Sequence, residues 1–263
     1  MADSTTHANN KYFDKEAETY DTKHAKTLDY IMQRIRAERD FIGADWIDED
    51  DDNDDDGKAG TTKTIRLLDY ACGTGNISRA LAPYTTQCVG IDLSKGMVEA
   101  YNARARNQGL SPSEMAAYQG NLCSPRDDDA PPQDLSDLAP PASFDVAAVG
   151  LGFHHFEDPD LAARRLADRL RPGGVLFIVD FLTHDGALPS GAEEAKATVA
   201  HQHGFSEGRI REVFEGAGVG AGFGIVEIGT IKAPRHDGGG GGGGGEGHEP
   251  APKRVFLARG TKV

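Results

Sequence analysis

A doubly wound α/β domain is the architecture this sequence predicts, with a seven-stranded sheet that is mostly parallel and an antiparallel hairpin at its C-terminal edge. Three observations carry the expectation. Between Thr64 and Leu182 short apolar runs alternate with amphipathic ones, the rhythm of parallel strands joined by crossover helices. The first apolar run leads straight into the pair Gly73 and Gly75, an arrangement that brings a backbone turn close to a ligand. The last two apolar runs are separated by little more than a glycine tract, which suits an antiparallel hairpin with a long tip.

Taken in order, "TIRLLDYA" reads as a buried strand and "NISRALAPY" as a helix opening just after the glycines. "QCVGIDL" is the second strand. The helix "SKGMVEAYNARARNQ" follows, with Ser94 as its N-cap and Met97, Val98 and Tyr101 on one face. "EMAAYQGNL" is a weaker third strand and "FDVAAVGLG" a fourth. In "DPDLAARRLADRLRPGG" the residues Leu161, Leu166 and Leu170 share a helical face, and Pro172 with the glycine pair ends the helix. "VLFIVDFL" is apolar enough to be covered on both faces. Ser206 caps a helix lined by Ile210, Val213 and Phe214, and "FGIVEIG" and "RVFLARG" are the final strands.

Composition narrows the function. The chain has 263 residues with 38% hydrophobic content, enough for one large core, and its 28 Lys+Arg against 42 Asp+Glu give a formal net charge of -14. That charge argues against a nucleic-acid partner. Three widely spaced cysteines form neither a disulfide framework nor a zinc set, which suits a reducing compartment. No signal peptide and no membrane span is read, so the expected location is cytoplasmic. The whole of 1–263 reads as one domain, with helices over about 10–45 ahead of the sheet and low-complexity insertions at 48–60, 125–143 and 236–252. The first insertion packs eight acids into the nine residues 48–56, and removing them would take the net charge from -14 to -6. Asp52, Asp54, Asp56 and Gly57 imitate the start of a calcium loop, but Lys63 stands where its closing Glu belongs, so no metal is assigned.

In open sheets of this kind ligands sit beyond the carboxyl ends of the strands, where Gly73, Gly75 and Asp92 fall. Asp92 is placed to accept the two hydroxyl hydrogens of a ribose. A dinucleotide fingerprint asks for a third glycine or alanine where this chain has Ser78, and no Gly-Lys-Ser/Thr follows, which excludes a phosphate-binding loop. Asp69 ahead of the turn repels a pyrophosphate and attracts a cation or an ammonium group.

These residues resemble a known family. "LLDYACGTGN" and "VGIDLSKGMVEAY" are similar to the first two motifs of class I S-adenosylmethionine-dependent methyltransferases, which are Rossmann-like. "FDVAAVGLGFHHFEDPDLAARRLADRLRPGGVLFIVDF" and "HGFSEGRIREVFEGAGV" resemble later segments of the small-molecule branch, the ubiquinone-type or type 11 enzymes. The resemblance runs from about Tyr12 to Val263 and implies S-adenosylmethionine as cofactor. It implies that Asp69, Gly73 and Gly75 surround the methionine moiety and that Asp92 binds the ribose. Leu93 and Met97 pack near the adenine, and Asn121 accepts a hydrogen bond from the adenine amino group with Leu122 beside it. Phe13 and Tyr20 are lid aromatics over the cofactor or anchors of an N-terminal helix. Of the pair after the fourth strand, His154 is the preferred base or orienting group and His155 the lesser candidate; His201 is read as a solvent-exposed helix end, and His203 as able to line the acceptor pocket. The cysteines are small packed side chains. The resulting expectation is methyl transfer to a small-molecule acceptor, at oxygen or carbon. A non-catalytic S-adenosylmethionine-binding regulator is the alternative from another class, and an NAD(P)-dependent oxidoreductase, lacking its third glycine and a Tyr-x-x-x-Lys pair, is the weaker alternative.

Overall fold

The computed structural model describes residues 4–47, 63–123, 135–183, 204–232 and 252–263. Two helices and a short third, α1 (Ser4–Glu16), α2 (Tyr20–Ala37) and α3 (Arg39–Ile42), precede the sheet. Then follow β1 (Arg66–Tyr70), α4 (Asn76–Leu81), β2 (Gln87–Asp92), α5 (Lys95–Asn107), β3 (Met115–Gln119), α6 (Leu135–Leu138), β4 (Phe144–Gly150), α7 (Pro159–Arg169) and β5 (Leu170–Phe181). The chain closes with α8 (Glu207–Gly216), β6 (Ala221–Lys232) and β7 (Pro252–Thr261).

The seven strands lie in the order β3-β2-β1-β4-β5-β7-β6. The first five pair in parallel, while β7 runs antiparallel between β5 and β6. This is the doubly wound sheet with an antiparallel edge that the alternating pattern predicts. Adjacent strand residues serve opposite faces: Leu67 joins the core built with α2, α4 and α5, and Leu68 the core built with α7 and α8. Burial on both sides explains why the central strands are apolar runs rather than alternating ones.

Capping matches the sequence where a side chain does it. Ser94 accepts from the Met97 amide, and Ser206 from that of Arg209. Asp158 caps α7, whose first residue is Pro159. One expectation is corrected at the other end of α7. Leu170 does not continue the helical face; it is extended (ψ 138°) and pairs with Phe144. Pro172 drives the residue before it out of the helical region, so the chain leaves the helix early, yet Leu170 stays buried in the same core as Leu166. Leu161 is only half-buried.

Residues 48–62, 124–134 and 233–251, which hold the acidic run, the charged part of the second insertion and the glycine tract, lie outside the described residues. So do His201 and His203. Within the remainder of the second insertion Ala139 is fully buried and Leu135 packs over Gly120. The N-terminal helices are fastened to the far edge of the sheet as well as to its middle. The Tyr30 hydroxyl of α2 donates to the Ile228 carbonyl oxygen of β6 at 2.9 Å. Gly229 (φ 122°) makes that approach possible, since a Cβ there would stand 1.8 Å from the Tyr30 oxygen.

Candidate active site

The chain leaves β1 toward one side of the sheet and β4 toward the other, so the switch point lies between their carboxyl ends. Both exits are sharply turned. After β1 the residues Ala71 (φ 52°), Gly73 (φ 51°) and Gly75 (φ 89°) alternate through the left-handed region, and after β4 Leu151 (φ 56°) does the same. Two non-glycine residues in that region on neighbouring strands mark a backbone held in shape by its surroundings.

A cavity of about 650 Å³ opens there, with walls from α1, α2, the β1 and β4 turns and the ends of β2 and β3. Of the residues singled out in the sequence, Asp69, Gly73, Asp92, Leu93, Met97, Asn121, Tyr20, Phe13 and His155 line it. Gly75, Leu122 and His154 do not, and each has a different physical reason. A Cβ at Gly75 would meet the Tyr101 ring at 2.8 Å, so this glycine serves helix-to-turn packing. Leu122 is buried in the core on the α7 side. His154 is turned inward, where its Nδ1 meets Asp180 Oδ1 at 2.8 Å and its amide donates to Asp180 Oδ2 at 3.0 Å.

Of the two histidines, it is therefore His155 that lines the cavity. Its ring is edge-on to Phe13 at 5.3 Å and tilted by 37° against His154 at 4.1 Å. Asp180 is fully buried; burial alone would raise its carboxyl, but the facing His154 and hydrogen bonds from His154 and the Phe181 amide hold it below the ordinary value.

The two acids at the glycine turn are in place. Asp69 Oδ2 accepts from the Ser78 amide (3.0 Å) and hydroxyl (2.7 Å), and burial pushes its carboxyl up to about 7 against these bonds. Asp92 accepts from the Gly73 amide on one oxygen (2.8 Å) and from the Ser94 amide on the other (2.9 Å), and burial raises it to about 6. The Leu93 amide also bonds to it, and since a carboxylate has about four lone-pair sites, Asp92 keeps acceptor capacity for a ligand. Asn121 is arranged differently from expectation: its Oδ1 accepts from the Tyr70 hydroxyl and the Cys123 amide, both at 2.9 Å. With both oxygen lone pairs engaged, the amide NH₂ is the group left to face a ligand.

Other lining residues escaped the sequence reading. Asn76 and Asn9 line the cavity, and each carries a buried side-chain oxygen with no hydrogen-bond partner among the described residues. Thr6, His7 and Asn10 of α1 also reach it. Nothing in the polar stretch "STTHANN" marks these positions, because a polar helix lining a cavity has no apolar period to read.

The site fits S-adenosylmethionine on observations of its own. A Cβ on Gly73 would project into open space at the cavity wall, leaving room for close ligand approach. Asp69 and the orphaned Asn76 oxygen are acceptors suited to a cationic, N–H-bearing group, and the Ser78 amide that could face a pyrophosphate is already held by Asp69.

Comparison with known proteins agrees with this geometry. A family model described as a methyltransferase domain matches residues 22–220. The chain is 34% identical over 158 residues to the uncharacterized methyltransferase C1347.09 of Schizosaccharomyces pombe, covering 58% of this chain and 52% of that protein. It is 33% identical over 115 residues to a ubiquinone biosynthesis O-methyltransferase of Xanthomonas campestris, covering 43% and 41%. The chain thus spans about half or less of the length of these curated relatives. Among solved structures it resembles the YcgJ protein of Bacillus subtilis (TM-score 0.52, 18% identity, 76% of this chain and 92% of that one). It also resembles a chain of the complex between the Haloferax volcanii Trm112 methyltransferase activator and a methyltransferase (TM-score 0.60, 15% identity, 96% of both). With the glycine turn, the acid that ends β2 and the sheet order all in place, the chain belongs to the class I S-adenosylmethionine-dependent methyltransferases.

Proposed function

We propose that this protein moves a methyl group from S-adenosylmethionine to a small-molecule acceptor, at oxygen or carbon. The observation that carries the reading is the continuity of one cavity, which has Asp92 and the glycine turn in its wall together with His155 and the rings of Phe13 and Phe156. A regulator that only bound the cofactor would have no use for a histidine and an aromatic wall in the same space, so the continuity favours turnover over that alternative. The oxidoreductase reading is disfavoured by the occupied Ser78 amide. The acidic chain supports a partner other than nucleic acid, and three free thiols support the cytoplasm. Among the described residues no helix is long and apolar enough to cross a membrane.

S-adenosylmethionine supplies a methyl carbon made electrophilic by its sulfonium. Asp92 would hold the ribose hydroxyls, and Asp69 with Asn76 the amino-acid end, while Met97 and Leu93 offer apolar surface to the base. Phe13 and Tyr20 keep water from the space beside them. His155 would accept the proton of an acceptor hydroxyl at a ring nitrogen, which makes the oxygen a better nucleophile. His154 and Asp180 act behind it as positioning residues, fixing the turn from which His155 projects.

The test is thermal unfolding with S-adenosylmethionine, S-adenosylhomocysteine, NADH and NADPH, on the wild type and on Asp92→Ala. A ligand at a hundred times its Kd adds about 2.7 kcal/mol, which is roughly 5–10 °C for a domain of this size. The expected outcome is a shift with the two adenosyl ligands alone, lost in the variant. A shift with a nicotinamide cofactor instead would overturn the reading.

A further inference from the structure

Asn9 is 6% exposed and sits on α1 at the cavity wall. Its Nδ2 donates to the His155 carbonyl oxygen at 3.4 Å, and that bond decides which way the amide faces. Turning the amide over would set two oxygens against each other, so Oδ1 is the atom on the other side. This oxygen is buried without a hydrogen-bond partner among the described residues. A buried acceptor left unmet is costly, and one in a cavity wall is met when a ligand brings a donor. The amide is tied to the backbone of the same residue whose side chain the proposed reaction uses as base, so Asn9 belongs to the acceptor's end of the cavity.

The charges around that end point the same way. Glu157 and Asp158, next to His155 in the chain, line the cavity, and no Lys or Arg does so among the described residues. Asp158 is partly engaged, since it accepts from the Leu161 amide at 2.8 Å, but it remains an acid at the rim. A carboxylate or phosphate entering at this end would be stripped of water beside like charges with no Lys or Arg to pair with it. An uncharged or cationic molecule meets no such penalty, and the sulfonium of the cofactor is itself welcome.

Resting on the methyltransferase reading, we infer that the acceptor is a neutral or cationic hydroxyl or amine compound whose hydrogen-bond donor is recognised by Asn9, and that carboxylated and phosphorylated compounds are rejected. Asn9 is thus a specificity residue of α1, and α1 forms part of the acceptor site.

The experiment incubates the full chain with methyl-tritiated S-adenosylmethionine and a small-molecule extract of cells that express the protein, sorted by ion exchange at neutral pH into anionic, neutral and cationic pools. Label is expected in the neutral or cationic pool. With the labelled compound as substrate, Asn9→Leu is expected to raise KM at least about tenfold, the worth of one buried hydrogen bond. Its shift in unfolding temperature with S-adenosylhomocysteine should equal that of the wild type, which a misfolded variant would not give. Label in the anionic pool, or an unchanged KM in Asn9→Leu, would overturn the inference while leaving the methyltransferase reading intact. No label in any pool would overturn that reading and the inference with it.

Discussion

Asp69 and Asp92 are carboxyls whose protonation is set by burial, at about 7 and about 6 against an ordinary value of 3.8. Between about 4 and 7 the folded chain therefore binds more protons than the unfolded one. Their contribution to stability without ligand is present at acid pH and is lost as pH rises through about 7. A cationic ligand has the opposite preference, because it needs the charged forms. The affinity for S-adenosylmethionine is expected to weaken as pH falls below about 7, approaching about tenfold per pH unit for each carboxyl that must ionise. Calorimetric titration between pH 5.5 and 8.5 checks this, and Asp69→Asn should flatten the upper part of the curve; a Kd constant over that range would contradict the assignment. These acids were legible in the sequence because the strand, the turn and the following strand place them locally. The histidine pair was not, since the choice between His154 and His155 is made by Asp180, 26 residues further along, which claims one ring and leaves the other to the cavity. Asn9 and Asn76 were equally invisible, because an orphaned oxygen exists only once the surrounding fold has excluded water from it.

At the level of elements, α1 and α2 are held across the cofactor end by two acids. Asp14 accepts from the Ser94 hydroxyl at 2.5 Å and from the Gly96 amide at 2.9 Å. Asp21 accepts from the Thr74 hydroxyl at 2.6 Å, inside the glycine turn, and pairs with Arg104 of α5. Ligand exchange then requires these contacts to open. Asp21→Ala is expected to speed S-adenosylhomocysteine release about tenfold or more, read by stopped-flow, because hydrogen bonds to charged groups are among the stronger ones. An unchanged dissociation rate would show that exchange takes another route. The sequence marked helices over about 10–45 through their aromatics, yet α1 begins at Ser4. Its first turns have no apolar stripe and stand on their contacts with the cavity, so only the packed fold reveals them. The same reasoning covers Leu170, whose apolar side chain suits the helix pattern while Pro172 assigns it to the strand.

For the molecule as a whole, the net charge of -14 works against compaction. The unfolding temperature of the ligand-free protein should rise when sodium chloride goes from about 10 to about 150 mM, as the screening length shortens from about 30 to about 8 Å. A version without the eight acids of 48–56, at a net charge of -6, should respond less; a midpoint that falls with salt would refute the account. The sheet order was the most legible feature at this scale, since alternating segments with short connections leave few topologies open. Its far edge carries a consequence for how the chain is made. Because β7 lies between β5 and β6, strand β6 leaves the ribosome before β7, its pairing partner among the described residues. At about 5–20 residues per second the stretch from Lys232 to Thr261 takes roughly 1.5 to 6 seconds to appear. Throughout that interval the edge of β5 and both edges of β6 are open to other nascent chains, so newly made protein is most prone to aggregate just before its final strand arrives.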